Sequence, residues 1–95
     1  MKLFKTVDEK FEEIGFTKVD ESEYGATYHR LNTEYGYTQC LDLMHKASGR
    51  HIVQSYDRNL MDDKKIGNTC VGLTMYEMKL CLKKMKQMGW KAKKQ

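Results

Sequence analysis

Cys40, His45 and His51, with His29 a short way upstream, are the residues whose types could hold a metal or drive a nucleophilic reaction. Zinc needs three or four such side chains converging at roughly 2.0–2.3 Å, and Cys-x4-His-x5-His matches no standard finger spacing. Strand alternation also sends Cys40 and His45 to opposite faces. Surface imidazoles and a buried thiol are the simpler expectation, so neither a metal nor a cofactor is assigned. A Cys–His nucleophile needs its thiolate beside a base and a third group that orients the base. Cys81 falls in an apolar helical stripe and Cys70 beside a glycine-containing loop, neither near a histidine in sequence. There is no glycine-rich phosphate loop, no His-Glu-x-x-His and no Gly-x-Ser-x-Gly. The carboxylates lie on a polar helix face or in turns, where solvation accounts for them. The expectation is a protein that is not an enzyme.

Charge offers a second chemistry. The net charge of +4 conceals an acidic start and a basic end, where residues 76–95 hold seven lysines against the single acid Glu77. Lys83, Lys84, Lys86, Lys91, Lys93 and Lys94 could contact phosphates, while Tyr24, Tyr28, Tyr37 and Tyr56 could stack bases. However, lysines near a helix C-terminus also complement its dipole, and strand tyrosines ordinarily pack across strands. The aromatic octapeptide of RNA-recognition motifs is missing, and no helix-turn-helix can be drawn. Nucleic-acid binding is therefore the alternative reading.

These residues are positioned by two amphipathic helices and a set of short strands. In residues 73–90, Thr74 and Glu77 form a capping box, and Gly89 followed by Trp90 supplies a stop. Between them Met75, Met78, Cys81, Leu82, Met85 and Met88 recur at helical spacing and predict a buried stripe over 75–88. Residues 2–14 predict a second helix with Phe4, Val7, Phe11 and Ile14 as its seam, ended by Gly15 and Phe16 in the same way. Between the helices the period changes. Residues 24–31, 37–45 and 50–57 read as antiparallel strands joined by hairpins at Asn32–Gly36 and at 46–49, with Asn32, Gly36 and Gly49 as turn residues. Tyr37, Leu41 and Leu43 give the core face of the middle strand. Tyr28, Cys40, Met44 and Val53 are assigned to the opposite face, where a partner could add buried area. Residues 58–72 read as a surface loop, with a short edge strand over 68–71 as an option.

The chain of 95 residues is thus expected to be one α+β domain. Residues 1–16 form a helix and cap, 24–57 a three- to four-stranded antiparallel meander, 73–90 the C-terminal helix and cap, and 91–95 a basic tail, with both helices on one sheet face. Three cysteines with no close pair indicate reduced thiols and a cytoplasmic setting, and no apolar run is long enough to cross a membrane. Methionine also offers a third possibility: Met75, Met78, Met85 and Met88 could form an adaptable groove or a helix-pairing surface, if the helices cover only part of the sheet. The chain would then be a monomer or a homodimer.

A first helix ending Glu12-Glu13-Ile14-Gly15-Phe16, a set of tyrosine-rich strands, and a Leu73-Thr74-Met75-Tyr76-Glu77-Met78-Lys79 helix closing on Gln87-Met88-Gly89-Trp90 resemble small proteins encoded by phages and integrated elements of Gram-positive bacteria. That resemblance implies a cytoplasmic protein of the bacterial host that acts by binding a host protein or complex, as anti-defence factors do when they block CRISPR effectors. Tyr35, Tyr56, Arg58, Asp62 and Asp63, in a hairpin tip, a strand end and the long loop, are the expected anchors. The matching residues are caps and core positions, so the resemblance brings no active site with it. The lysine-rich end departs from that group's usual acidity, which favours a protein-surface contact over DNA mimicry.

Overall fold

The computed structural model describes residues 4–61 and 70–92. Its elements run α1 (Val7–Glu13), β1 (Thr17–Ser22), β2 (Gly25–Asn32), β3 (Tyr37–Met44), β4 (Ile52–Asp57), α2 (Arg58–Met61) and α3 (Met75–Gln87). The strands form one antiparallel meander in the order β1-β2-β3-β4, with α1 and α3 joined to it through a single core cluster. This is the expected α+β arrangement. No helix among the described residues is long and apolar enough to cross a membrane.

Both longer helices are bounded by local chemistry. Thr6 and Thr74 each accept the backbone N–H three residues on, from Glu9 and Glu77, both at 3.1 Å. The glutamate carboxylates reach back to the threonine N–H groups at 3.1 and 2.8 Å, completing two capping boxes. The first box shortens the expected helix: α1 starts at Val7 rather than near residue 2, and Phe4 is left 86% exposed instead of joining the seam. At the far ends, Gly15 and Gly89 take positive φ, which lets Phe16 and Trp90 donate their N–H to the carbonyls of Phe11 and Met85, each at 3.0 Å. These are Schellman stops, and each returns an aromatic ring towards the core. Replacing Thr74 with alanine should lower stability by about 1 kcal/mol, read as a lower urea midpoint with an unchanged m-value.

The fourth strand lies at the N-terminal edge, where none was expected. β1 pairs with β2 from Thr17 opposite His29 to Ser22 opposite Gly25, with a bulge between Lys18 and Asp20. At the other edge, the option over 68–71 reduces, within the described residues, to a bridge between Cys70 and Tyr56. Asn32 works in its hairpin through its side chain, which accepts the Tyr35 N–H at 3.0 Å, and not through a left-handed backbone. The register settles the faces. Tyr28 sits opposite Leu41, and Leu43 opposite Val53, so all four side chains point to the helices. Tyr28 therefore belongs to the core, fully buried and stacked on Phe11 at 4.3 Å, not to the outer face. Phe16 meets Phe11 edge-on at 5.8 Å.

Candidate partner-binding groove

The inward side of α3 carries buried charges beside Leu80 and Cys81, and this is where it departs from the expected buried stripe. Lys84 is only 3% exposed, and its ammonium reaches Glu21 at 2.6 Å and Asp8 at 3.2 Å. Glu77 is also buried and pairs with Arg30 at 2.8 Å. Burial pushes the Asp8 carboxyl up, but hydrogen bonds from Tyr28, Lys18 and Lys84 together outweigh it and hold the group below its ordinary value. The hydrogen bond from Lys84 does the same to Glu21. With Glu77, Leu80, Cys81 and Lys84 facing inward, the helix is turned away from the sequence stripe. Cys81 is buried as expected, and Met85 and Met88 are partly so. Met75, Met78 and Leu82 instead stand 88%, 52% and 61% exposed.

The displaced stripe forms one wall of a groove of about 1060 Å³, with Val53 of β4 opposite and Trp90 closing one end. α3 runs along β4 in the reverse direction. Near its start the Val71 N–H donates to the Ser55 carbonyl at 3.1 Å, and past its end His51 meets Lys91. His51 Nδ1 accepts the Lys46 N–H at 3.0 Å, so its other nitrogen carries the hydrogen and donates to the Lys91 carbonyl at 3.1 Å. The rings of His45 and His51 lie 4.6 Å apart, and each is 5.2 Å from Trp90. Two of the three histidines weighed as metal ligands, His45 and His51, thus brace the end of the groove. Among the described residues no three His, Cys, Asp or Glu side chains cluster around a common point.

The rim is basic. Among the described residues, Arg50, Lys79, Lys83, Lys86 and Lys91 line the groove, no carboxylate does, and none of the five makes an ion pair. Repulsion from Lys10 and then Lys79 draws the Lys83 ammonium below its usual range, which marks a local excess of positive charge.

On the other sheet face Asp42 gathers a polar cluster. Its carboxylate accepts from Thr27 at 2.8 Å, Tyr56 at 2.9 Å and the Cys40 thiol at 3.6 Å. Burial raises the Cys40 thiol, and the Asp42 charge adds to this, while burial pushes Cys81 up to about 12. Both thiols are held protonated, the reverse of what a nucleophile requires. Although His29 faces Cys40 across the ladder, the thiol's acceptor is Asp42.

The expected anchors are scattered. Tyr35 is exposed in the β2–β3 turn, the Tyr56 hydroxyl is engaged by Asp42, and Arg58 is exposed at the start of α2. Asp62 and Asp63, like Lys93 and Lys94, lie outside the described residues. Of the lysines assigned to nucleic acid, Lys83, Lys86 and Lys91 share the groove rim, whereas Lys84 is buried in ion pairs. Of the tyrosines, Tyr28 is in the core, and Tyr56 lies on the opposite face. Val53 also departs from its assignment to the outer face, because it faces the groove, whereas Cys40 lies on the outer face as assigned and is buried there. Sequence reasoning missed Arg50, Lys79 and Val53 as groove residues, although the methionine stripe was the signal for an adaptable surface.

Fold and groove together define an α+β domain that leaves a strip of apolar helix uncovered beside an edge strand. Compared with known proteins, the chain matches no family model, no curated protein and no solved structure.

Proposed function

We propose that the protein is a non-enzymatic binding protein that holds another protein along the groove between α3 and β4. The observation that carries the reading is the exposure of Met75, Met78 and Leu82, side by side on a helix that buries Glu77 and Lys84 instead. An apolar strip of this kind is uncommon on a monomer's surface unless something covers it. Methionine adapts to the shape of whatever does. The absence of catalysis is part of the proposal, supported by the two protonated thiols. The phage or mobile-element origin rests on the resemblance of the helix ends. In that setting the partner is a protein or complex of the bacterial host in its cytoplasm, and inhibition of a defence complex such as a CRISPR effector is the role proposed.

Direct nucleic-acid binding is a second reading, favoured by Lys83, Lys86 and Lys91 on one rim. Capture from a host lysate with and without nuclease separates the two. A partner retained after nuclease treatment by the wild type, and lost with Leu82→Glu, is expected. Loss on nuclease treatment alone, with affinity falling steeply as salt rises, would transfer the function to nucleic acid.

A further inference from the structure

The groove's chemistry says more about its occupant. We infer that it takes an amphipathic helix of a partner protein, apolar on the side laid against α3 and carrying carboxylates along its flank. The inference rests on the protein-binding reading above and adds the partner's chemical class. α3 has 13 residues, a length of about 20 Å at 1.5 Å per residue. A partner helix of three to four turns would meet Met75, Met78, Leu82 and Met85 in succession through side chains at three- and four-residue spacing. Flanking carboxylates would pair with Lys79, Lys83 and Lys86, which follow the same side of α3, and with Arg50 and Lys91 near Trp90. Charge complementarity thus selects an acidic ligand, and the apolar floor selects one with an apolar face. A second copy in symmetric contact would set two basic rims against each other, which disfavours self-pairing. Nucleic acid would satisfy the rim but leave the floor facing water.

Trp90 is the chain's single tryptophan and lies at the end of the groove, so its emission reports occupancy. The probe is a synthetic helix-forming peptide without tryptophan or tyrosine, with leucines at helical spacing and glutamates on its flank, titrated into the full chain. Saturable change in emission is expected. A scrambled peptide and one with lysines replacing the glutamates should bind at least about tenfold more weakly. Leu82→Glu and Lys83→Glu should each weaken binding by about tenfold or more, and Leu31→Glu, exposed on the other sheet face, should leave it unchanged. Circular dichroism confirms the fold of each variant, and because Lys83 is exposed on the rim, its substitution keeps the test valid if Leu82→Glu does not fold. Equal binding of the scrambled peptide overturns the inference. So does binding of a single-stranded oligonucleotide in place of the peptide, or a concentration-dependent dimer that Leu82→Glu abolishes while the peptide has no effect. If the peptide fails but lysate capture survives nuclease and is lost in Leu82→Glu, the partner chemistry is wrong and the binding reading stands. If capture persists in Leu82→Glu, the groove itself is ruled out.

Discussion

Asp8→Ala is expected to destabilise the fold by about 3 kcal/mol, near the lower end for breaking a buried ion pair because Asp8 is partly open to solvent. Three donors converge on this carboxylate: the Tyr28 hydroxyl at 2.7 Å, Lys18 at 2.9 Å and Lys84 at 3.2 Å. Its removal leaves a buried phenol without an acceptor and deprives a buried ammonium of one of two counter-charges. Lys84→Met should cost much less, about 1 kcal/mol, because an apolar chain of similar length can fill the same space. Adding Lys84→Met to Asp8→Ala should therefore recover part of the loss. A double mutant no more stable than Asp8→Ala would show that Lys84 is not held by this carboxylate.

The same cluster predicts how stability varies with pH. Asp8 and Glu21 have native values below their ordinary 3.8 and 4.5. In the window below those ordinary values the unfolded chain binds more protons than the native one, so stability rises with pH there. The contribution is complete above about pH 5 and is lost as pH falls through the depressed native values. Urea unfolding across that range should show an acid slope in the wild type and a shallower one in Lys84→Met, which removes the donor that lowers Glu21 most.

Features fixed within a few residues were legible in the sequence. Thr74 with Glu77, and the glycine-aromatic stops at Gly15-Phe16 and Gly89-Trp90, need only their own neighbours to form. The Thr6–Glu9 box has the same spacing and would have placed the start of α1 correctly. β1 gave no comparable signal. All six of its residues are exposed, so no alternation betrays it, and its place is set by backbone pairing to β2. The phase of α3 was illegible for a stronger reason: apolar periodicity points Met75, Met78 and Leu82 inward, yet the inward side also holds Lys84, whose carboxylate partner lies 76 positions away in the chain. Hydrophobic pattern reports that a helix has an apolar side. It cannot report that ion pairs and a cap claim the adjacent side first.

That competition links stability to the proposed function. If α3 were turned so that its methionines faced the sheet, Lys84 and Glu77 would leave their partners and the groove would lose its floor. The buried charges thus have a specificity role, holding an apolar strip outward at some expense in apolar burial. Substitutions that release those charges should therefore reduce groove binding as well as stability, whereas Leu82→Glu should affect binding alone.

Arg30 is the second position at which a single change should approach the limit of the fold. Its guanidinium donates to the Ile14 carbonyl at 3.1 Å and to Gln39 Oε1 at 2.8 Å, pairs with Glu77 at 2.8 Å, and lies 4.2 Å from the centre of the Phe16 ring. One side chain thereby ties the end of α1, the middle of the sheet and the first turn of α3. Gln39 extends the chain of contacts to β4 through Ser55 at 2.8 Å. Arg30→Met keeps the stem over Phe16 but leaves the buried Glu77 carboxylate without its counter-charge, at a cost of about 3–5 kcal/mol. That is a large part of the roughly 5–10 kcal/mol available to a domain of this size. Arg30→Lys retains the charge but cannot span the separate acceptors, so an intermediate loss of about 1–3 kcal/mol is expected. Adding Glu77→Gln to Arg30→Met removes the stranded charge while keeping an oxygen for the Thr74 N–H, and should restore at least about 1 kcal/mol. Urea midpoints for the two single variants and the double variant measure this directly. If Glu77→Gln restores nothing, the Arg30–Glu77 pair does not set the phase of α3, and the exposed methionine strip needs another cause.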